Sequence, residues 1–210
     1  ENAEVYPFWS ANKRWLAVQY STIKMDSSSS GVTINGLGLV DTTDLSQKMV
    51  PIASLGTHIH LLGFSPDSKL LAYMDSPEYP NALITLLNVE TGETVLKLTI
   101  NNKMRFSNAI FWLDSDRFSY ISDGRIYMYS IGTKKTSEVY PGPGVKQFTE
   151  YSEKGYSADW VLWSPDTKFA ILSIFPGESS VANFFTFNME TKVVTQLAQY
   201  SATPLGFSAD

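Results

Sequence analysis

The chain of 210 residues has no cysteine and only two histidines, His58 and His60. Without cysteine it forms no disulfide within its own length and offers no thiolate for catalysis or metal binding. Two neighbouring histidines also leave few candidates for a general base or for a zinc site. The lack of cysteine favours an extracytoplasmic location, periplasmic or secreted, slightly over a cytoplasmic one.

Positive charge is also scarce. The chain has 16 Lys and Arg residues against 21 Asp and Glu residues, a formal net charge of −5, and no long basic run. This balance disfavours a nucleic-acid partner. No apolar stretch approaches the ~20 residues that a membrane-spanning helix needs, so we expect no transmembrane segment.

A short motif recurs along the chain: an aromatic residue, a small residue, Asp or Asn, Lys or Arg, and then an apolar run. Its copies begin at positions 9, 64, 112, 163 and 207, in steps of 55, 48, 51 and 44 residues, and the last copy is cut short. A period close to 40–50 residues with strand-like composition is typical of propeller blades.

A second landmark supports the same register. A small polar residue, a hydrophobic residue and, three positions after the first, a threonine recur from Asn88, Ser130 and Asn188. Each repeat divides into four strands, which in the second repeat are residues 59–64, 70–74, 83–89 and 94–99. The sequence therefore predicts an all-β fold, a single β-propeller region of four-stranded antiparallel blades. The blades are expected at residues 5–55, 58–101, 107–140 and 158–199, with the first strand of a fifth at 203–210.

Two residue types in these repeats have a structural interpretation. Asp67 and Asp166 stand in Ser-Pro-Asp turns, where a carboxylate accepts backbone N–H bonds, so we assign them to the turns and not to catalysis. The tryptophans of the inner strands are expected in the core: Trp9, Trp112, Trp160 and Trp163.

Loop lengths point to one face of the propeller. The turns between the first and second and between the third and fourth strands are short, whereas residues 25–35, 75–82, 176–183 and 141–158 form longer connections. Length variation on one face is typical of a binding surface in repeat proteins. The aromatic residues expected to anchor a protein or peptide there are Tyr79, Tyr140, Tyr151, Tyr156 and Phe175. The alternative is that these rings pack the loops onto the blades.

The sequence contains little that indicates a catalytic or metal-binding site. His58 and His60 would point to the same side of a strand, which makes them weak candidates for metal ligands, and we expect neither a metal nor another cofactor. No Gly-x-Ser-x-Gly elbow occurs. Spacing sets none of the acidic candidates apart from surface charge: Asp75, Glu78, Asp123, Asp159 and Glu178.

The second repeat carries a family resemblance. Its stretch from Phe64 to Tyr73, followed by that from Asn88 to Glu93, resembles the WD-like repeat of TolB-type propellers. The same repeat occurs in the propellers of prolyl-oligopeptidase and dipeptidyl-peptidase families. The resemblance covers nearly the whole chain and implies more blades than four. We therefore expect further blades from the same or another chain to complete the propeller. The alternative is that four blades close the ring, with residues 204–207 covering an end or exchanging with another copy.

Two functions remain open. The first is a noncatalytic scaffold that binds a protein or peptide on the long-loop face. The second is the substrate-gating propeller of a prolyl-oligopeptidase-type serine peptidase whose catalytic domain lies outside these residues, and a Gly-x-Ser-x-Gly elbow beyond Asp210 would decide for it. A weaker third hypothesis is a metal-dependent enzyme using His58 and His60.

Overall fold

The computed structural model describes residues 3–25, 31–44, 50–54, 59–78, 80–101, 110–176 and 182–200. Within these ranges the chain forms sixteen strands and one helix. The strands make four antiparallel sheets of four strands each, and in every sheet neighbours in sequence are neighbours in space. This confirms the predicted all-β fold of four-stranded antiparallel units. In the described part, no helix has the length and apolar character needed to cross a membrane.

The chain divides into two compact units, Glu1–Asn101 and Asn102–Asp210. The first unit holds two sheets. The first sheet consists of β1 (Ala3–Trp9), β2 (Trp15–Met25), β3 (Gly31–Asp41) and β4 (Val50–Ser54). The second consists of β5 (Ile59–Phe64), β6 (Leu70–Glu78), β7 (Asn81–Asn88) and β8 (Thr94–Asn101).

The second unit holds two further sheets and the helix. The third sheet consists of β9 (Ile110–Trp112), β10 (Arg117–Ser122), β11 (Arg125–Ser130) and β12 (Lys135–Tyr140). Helix α1 (Lys146–Glu153) follows it. The fourth sheet consists of β13 (Tyr156–Trp163), β14 (Phe169–Pro176), β15 (Ala182–Asn188) and β16 (Val194–Tyr200).

A serine and a carboxylate hold the turn between the first two strands of the fourth sheet. The Ser164 hydroxyl donates to Asp166 Oδ1 at 2.6 Å and accepts from the Phe169 N–H at 3.0 Å, while the Lys168 N–H donates to Asp166 Oδ1 at 3.1 Å. Ser65 and Asp67 repeat the same hydroxyl–carboxylate bond at 2.7 Å in the second sheet. The structural interpretation of Asp67 and Asp166 is therefore confirmed.

The third sheet replaces this turn with another. Asp114 stands in it, and its Oδ1 accepts the N–H groups of Asp116 and Arg117 at 2.8 and 2.7 Å. Its Oδ2 lies 2.7 Å from the Arg117 guanidinium. The Asp114 carboxylate thus accepts the backbone N–H groups that a serine and an aspartate accept together in the turns of the second and fourth sheets. This explains why the third repeat can lack the Ser-Pro-Asp pattern.

Each unit has its own buried core. In the first unit the core forms around Ala17, Leu37, Ile59 and Leu71. In the second unit the described core joins the third and fourth sheets with α1, and its members are Ile126, Val139, Tyr140, Val145, Phe148, Ala158, Trp163, Ala170, Leu172, Ile174, Phe185 and Phe187. Trp163 is a core residue, as predicted. The prediction is wrong for Trp9, which is 56% exposed on β1.

The expected loop lengths need correction in two places. Residues 75–82 are not a long loop, because β6 continues to Glu78 and β7 begins at Asn81. Residues 25–35 largely belong to β2 and β3, and residues 26–30 lie outside the described ranges. The long connection between β12 and β13 is present, and it contains α1.

Candidate functional site

Helix α1 lies in the longest fully described connection between two sheets. The helix has eight residues, no side-chain cap at Val145 and no acidic residue in its first turn. The backbone N–H of Thr149 bonds to the Val145 carbonyl at 3.0 Å. A helix this short is marginal by itself in water, so its stability must come from packing.

Phe148 supplies that packing. Its ring is fully buried and lies 5.2 Å from the ring of Tyr140, 5.2 Å from Phe187 and 6.1 Å from Phe185, measured between ring centroids. Edge-on aromatic contacts of this kind add to the free energy of simple burial. Phe148 therefore fixes α1 against the strands β12 and β15.

Tyr140 belongs to this packing and not to an accessible surface. Its side chain is fully buried, its hydroxyl donates to the Tyr156 carbonyl at 3.0 Å, and burial raises the pKa of the phenol. A ring enclosed in this way has no face left for a partner. The expectation that Tyr140 anchors a partner is therefore wrong, and the alternative that it packs the connection onto the sheet applies.

Tyr151 and Tyr156 form a pair at the end of the helix. Their ring centroids lie 5.0 Å apart, and the Tyr151 ring lies 5.1 Å from that of Phe185. Both side chains are half-buried, and both pack against the core of the second unit. Phe175 is also half-buried and lies on β14, opposite Ser157. Tyr79 lies outside the described residues.

The outward side of α1 is polar. Lys146, Thr149, Glu150 and Glu153, together with Gly144, line a shallow depression of about 460 Å³. Lys146 Nζ lies 3.8 Å from Glu150 Oε1, an exposed pair that contributes little to stability. We call these five residues together with Tyr151 and Tyr156 the α1 surface. Its polar residues line the depression, and its two tyrosines are half-buried and pack against the core of the second unit.

Asp159 was not distinguished by the sequence, but it stands out in the structure. The register of β13 against β14 shifts between Ala158 and Trp160, which makes Asp159 the extra residue of a β-bulge. Burial raises the pKa of its carboxyl to about 6, although a hydrogen bond from Ser173 acts in the opposite direction. Oδ1 is buried without a hydrogen-bond partner in the part of the chain that the structure describes. The sequence gives no sign of this burial, because it arises from the β-bulge and from the apolar side chains around Asp159 in the folded chain.

A cleft of about 280 Å³ lies between β9 and β10 of the third sheet and β13 of the fourth sheet. Ser119 lies on its wall, and its hydroxyl accepts a 2.8 Å hydrogen bond from the indole N–H of Trp163. The remaining lining is mostly apolar: Ile110, Phe111, Tyr120, Ile121, Trp160, Val161 and Leu162. This cleft separates two packed sheets and presents no pair of groups suited to acid–base chemistry.

Of the two histidines considered as metal ligands, the structure describes only His60. His60 lies exposed on β5, whereas His58 falls outside the described residues. Among the described residues, no three His, Cys, Asp or Glu side chains are grouped so as to hold a metal ion. Glu178 also lies outside the described ranges.

No family model and no curated protein matches the chain. Solved structures do match. A protein assigned as a dipeptidyl aminopeptidase IV from Bacteroides ovatus gives a TM-score of 0.61 at 15% identity, over 90% of this chain and 32% of that one. The acylaminoacyl peptidase of Pyrococcus horikoshii gives 0.55 at 15% identity, over 95% of this chain and 33% of that one. A protein assigned as TolB from Agrobacterium tumefaciens gives 0.51 at 11% identity, over 95% of this chain and 81% of that one.

These matches define the fold. The chain has the fold of part of a β-propeller, with four-stranded blades similar to those of TolB and of the propellers of prolyl-oligopeptidase-type peptidases. It spans about a third of the length of the two peptidases. At identities this low the likeness establishes fold and leaves function to the site, because propellers carry many functions on one architecture.

Proposed function

We propose that this protein is a noncatalytic β-propeller scaffold that binds a protein or peptide partner at the α1 surface. The observation that carries the proposal is the packing of Phe148, which fixes α1 and so keeps the half-buried ring of Tyr151 beside that of Tyr156 on β13. Aromatic anchors surrounded by a polar rim are common in protein interfaces. Further blades, from the same or another chain, complete the propeller under this proposal.

Preorganisation gives the α1 surface its advantage over a flexible loop. A loop that becomes ordered on binding loses conformational entropy, and this loss weakens the affinity. The contacts of Phe148 and Tyr151 with Phe185 order the connection before any partner arrives. We place the protein outside the cytoplasm, in the periplasm or secreted, and the absence of cysteine supports this location.

Site-specific photo-crosslinking tests the proposal. A photoreactive phenylalanine analogue is placed at Thr149, which is exposed on α1, and separately at Thr133, which is exposed in the turn between β11 and β12. Both variants are expressed in the organism that makes the protein. We expect a discrete polypeptide adduct at Thr149 and none at Thr133. No adduct at Thr149, or the same adducts at both positions, would contradict the proposal.

A second candidate function is the substrate-gating propeller of a prolyl-oligopeptidase-type serine peptidase. It is favoured by the TM-scores of 0.61 and 0.55 with two peptidases of which the chain covers about a third. The test is to isolate the native polypeptide through an antibody to this chain and treat it with a fluorophosphonate, which labels activated serines. Covalent labelling of the same polypeptide would support this candidate, and an unlabelled polypeptide would reject it.

A further inference from the structure

The last strand of each described sheet lies at an edge of that sheet, where the backbone of a further strand can pair with it. Three of these strands carry residues that oppose such pairing: Pro51 in β4, Lys97 in β8, and Lys135 with Glu138 in β12. Proline offers no N–H, and a charged side chain is costly to enclose between two strands. The sequence of β16 is VTQLAQY, which contains no proline and no charge. It is therefore the one last strand of the four without this protection.

The second and fourth repeats show the contrast position by position. Five residues after the asparagine that begins the last turn, Glu93 of the second repeat corresponds to Val193 of the fourth. Nine residues after that asparagine, Lys97 corresponds to Leu197. The side chains of Val193 and Leu197 are 57% and 53% exposed. Two charged positions of the second repeat are thus exposed hydrophobic residues in the fourth, and removing their surface from water favours association.

A β-bulge is a feature that β16 shares with the other last strands. Gln196 lies opposite Phe185 and Ala198 opposite Phe184, which makes Leu197 the extra residue of the bulge. The last strands of the other three sheets have a comparable register shift against their neighbours. Because a bulge is common to all four strands, the lack of charge and proline is what distinguishes β16.

We propose that β16 pairs with the same strand of a second copy of this chain, antiparallel and centred on Leu197. The charge pattern argues for this occupant. A strand paired with its own copy brings like residues together, so Lys97 at the centre of β8 would face a second lysine, whereas β16 has no charge to repel its copy. A two-fold axis at Leu197 places the two leucines side by side, where each covers exposed apolar surface of the other.

Disulfide crosslinking tests which strands meet, since the chain has no cysteine of its own. The full-length native protein with Leu197→Cys is oxidised, and the linked peptides are identified by mass spectrometry. Facing residues of antiparallel strands have Cα atoms ~4.5–5.5 Å apart, which a disulfide can span. We therefore expect a disulfide that joins residue 197 of two copies. Thr99→Cys, at an exposed position of β8, is the control and should form no such link.

Sedimentation of the full-length native protein over a series of concentrations measures the association itself. We expect the wild-type protein to form dimers. Leu197→Lys introduces the residue type that β8 has at the matching position, and it should weaken the dimer at least about tenfold. Thr99→Lys adds the same charge to β8 and should leave the dimer unchanged. The crosslink at residue 197 does not depend on the folding of the lysine variant.

Several results would overturn the proposal. A wild-type protein that stays monomeric at every concentration would do so, as would a dimer that Leu197→Lys leaves intact. Equal disulfide formation at residues 99 and 197 would show that the copies meet by random collision. A disulfide between residue 197 and a different polypeptide would assign the edge of β16 to another protein and would likewise reject pairing with a second copy.

Discussion

A serine hydroxyl organises the first turn of three of the four described sheets. Ser10, Ser65 and Ser164 each donate to a side-chain oxygen two residues later and accept a backbone N–H five residues later. One hydroxyl thus closes the turn from both sides. This use of a short polar side chain in a turn explains the recurring motif without any catalytic role.

Ser164→Ala should lower the free energy of unfolding by about 1–2 kcal/mol, because the Phe169 N–H and Asp166 both lose a bonded partner. Urea unfolding measures the change. Ser137→Ala, at an exposed position on β12, is the control and should have little effect. Equal effects of the two substitutions would show that the hydroxyl network contributes nothing to stability.

The Asp159 carboxyl predicts a pH dependence of stability. Its pKa of about 6 lies above its ordinary value of 3.8, so the folded chain holds the proton more tightly than the unfolded chain. The free energy of unfolding should therefore fall as the pH rises from about 4 through 6 and remain lower above that. Asp159→Asn removes this dependence and should be about 1–2 kcal/mol more stable than wild type at pH 8, after allowance for partial exposure.

Urea unfolding of both proteins at pH 4 and pH 8 tests this dependence. The difference between variant and wild type should be large at pH 8 and close to zero at pH 4, whereas the other carboxyl groups cancel in the comparison. A constant difference at both pH values would contradict the raised pKa of Asp159.

At the scale of the elements, the conformation of α1 depends on the residues packed around it. Eight residues without a side-chain cap form a helix because Phe148 is enclosed by Tyr140, Phe185 and Phe187. The sequence predicted a long connection here but gave no helix signal, since no capping residue precedes it. Tertiary packing, which is invisible in the local sequence, decides its conformation.

Phe148→Ala should lower the free energy of unfolding by about 3–5 kcal/mol, because it removes a fully buried ring and leaves a cavity. It should also release α1, so the backbone amides of residues 149–155 should lose protection from hydrogen exchange. Thr149→Ala, at an exposed position of the same helix, is the control and should retain that protection. Protected amides in Phe148→Ala would show that α1 forms without this anchor.

At the scale of the whole molecule, the repeat period was enough to predict the sheets. The second repeat's strands were expected at residues 59–64, 70–74, 83–89 and 94–99, and the structure has Ile59–Phe64, Leu70–Glu78, Asn81–Asn88 and Thr94–Asn101. The sequence analysis ended the second strand at residue 74 and began the third at residue 83, because Pro77 and Pro80 are typical of loops. In the structure β6 continues to Glu78 and β7 begins at Asn81.

Burial was harder to predict than the strands. Trp9 and Trp163 occupy the same place in the motif, yet one is 56% exposed and the other 3% exposed. A repeat defines which strand a residue joins, but the neighbouring surface determines whether its side chain is covered. The same limit explains why Tyr140 was expected at the surface and why Asp159 could not be distinguished from other acidic residues.

Hydrogen exchange of the full-length native protein, with and without the partner captured by crosslinking, tests the central claim most directly. The proposed scaffold predicts that partner binding slows exchange in residues 141–155, which contain α1. Exchange in the short turns at residues 113–116, 131–134 and 164–168 should remain unchanged. Protection of those turns, with residues 141–155 unaffected, would contradict binding at the α1 surface.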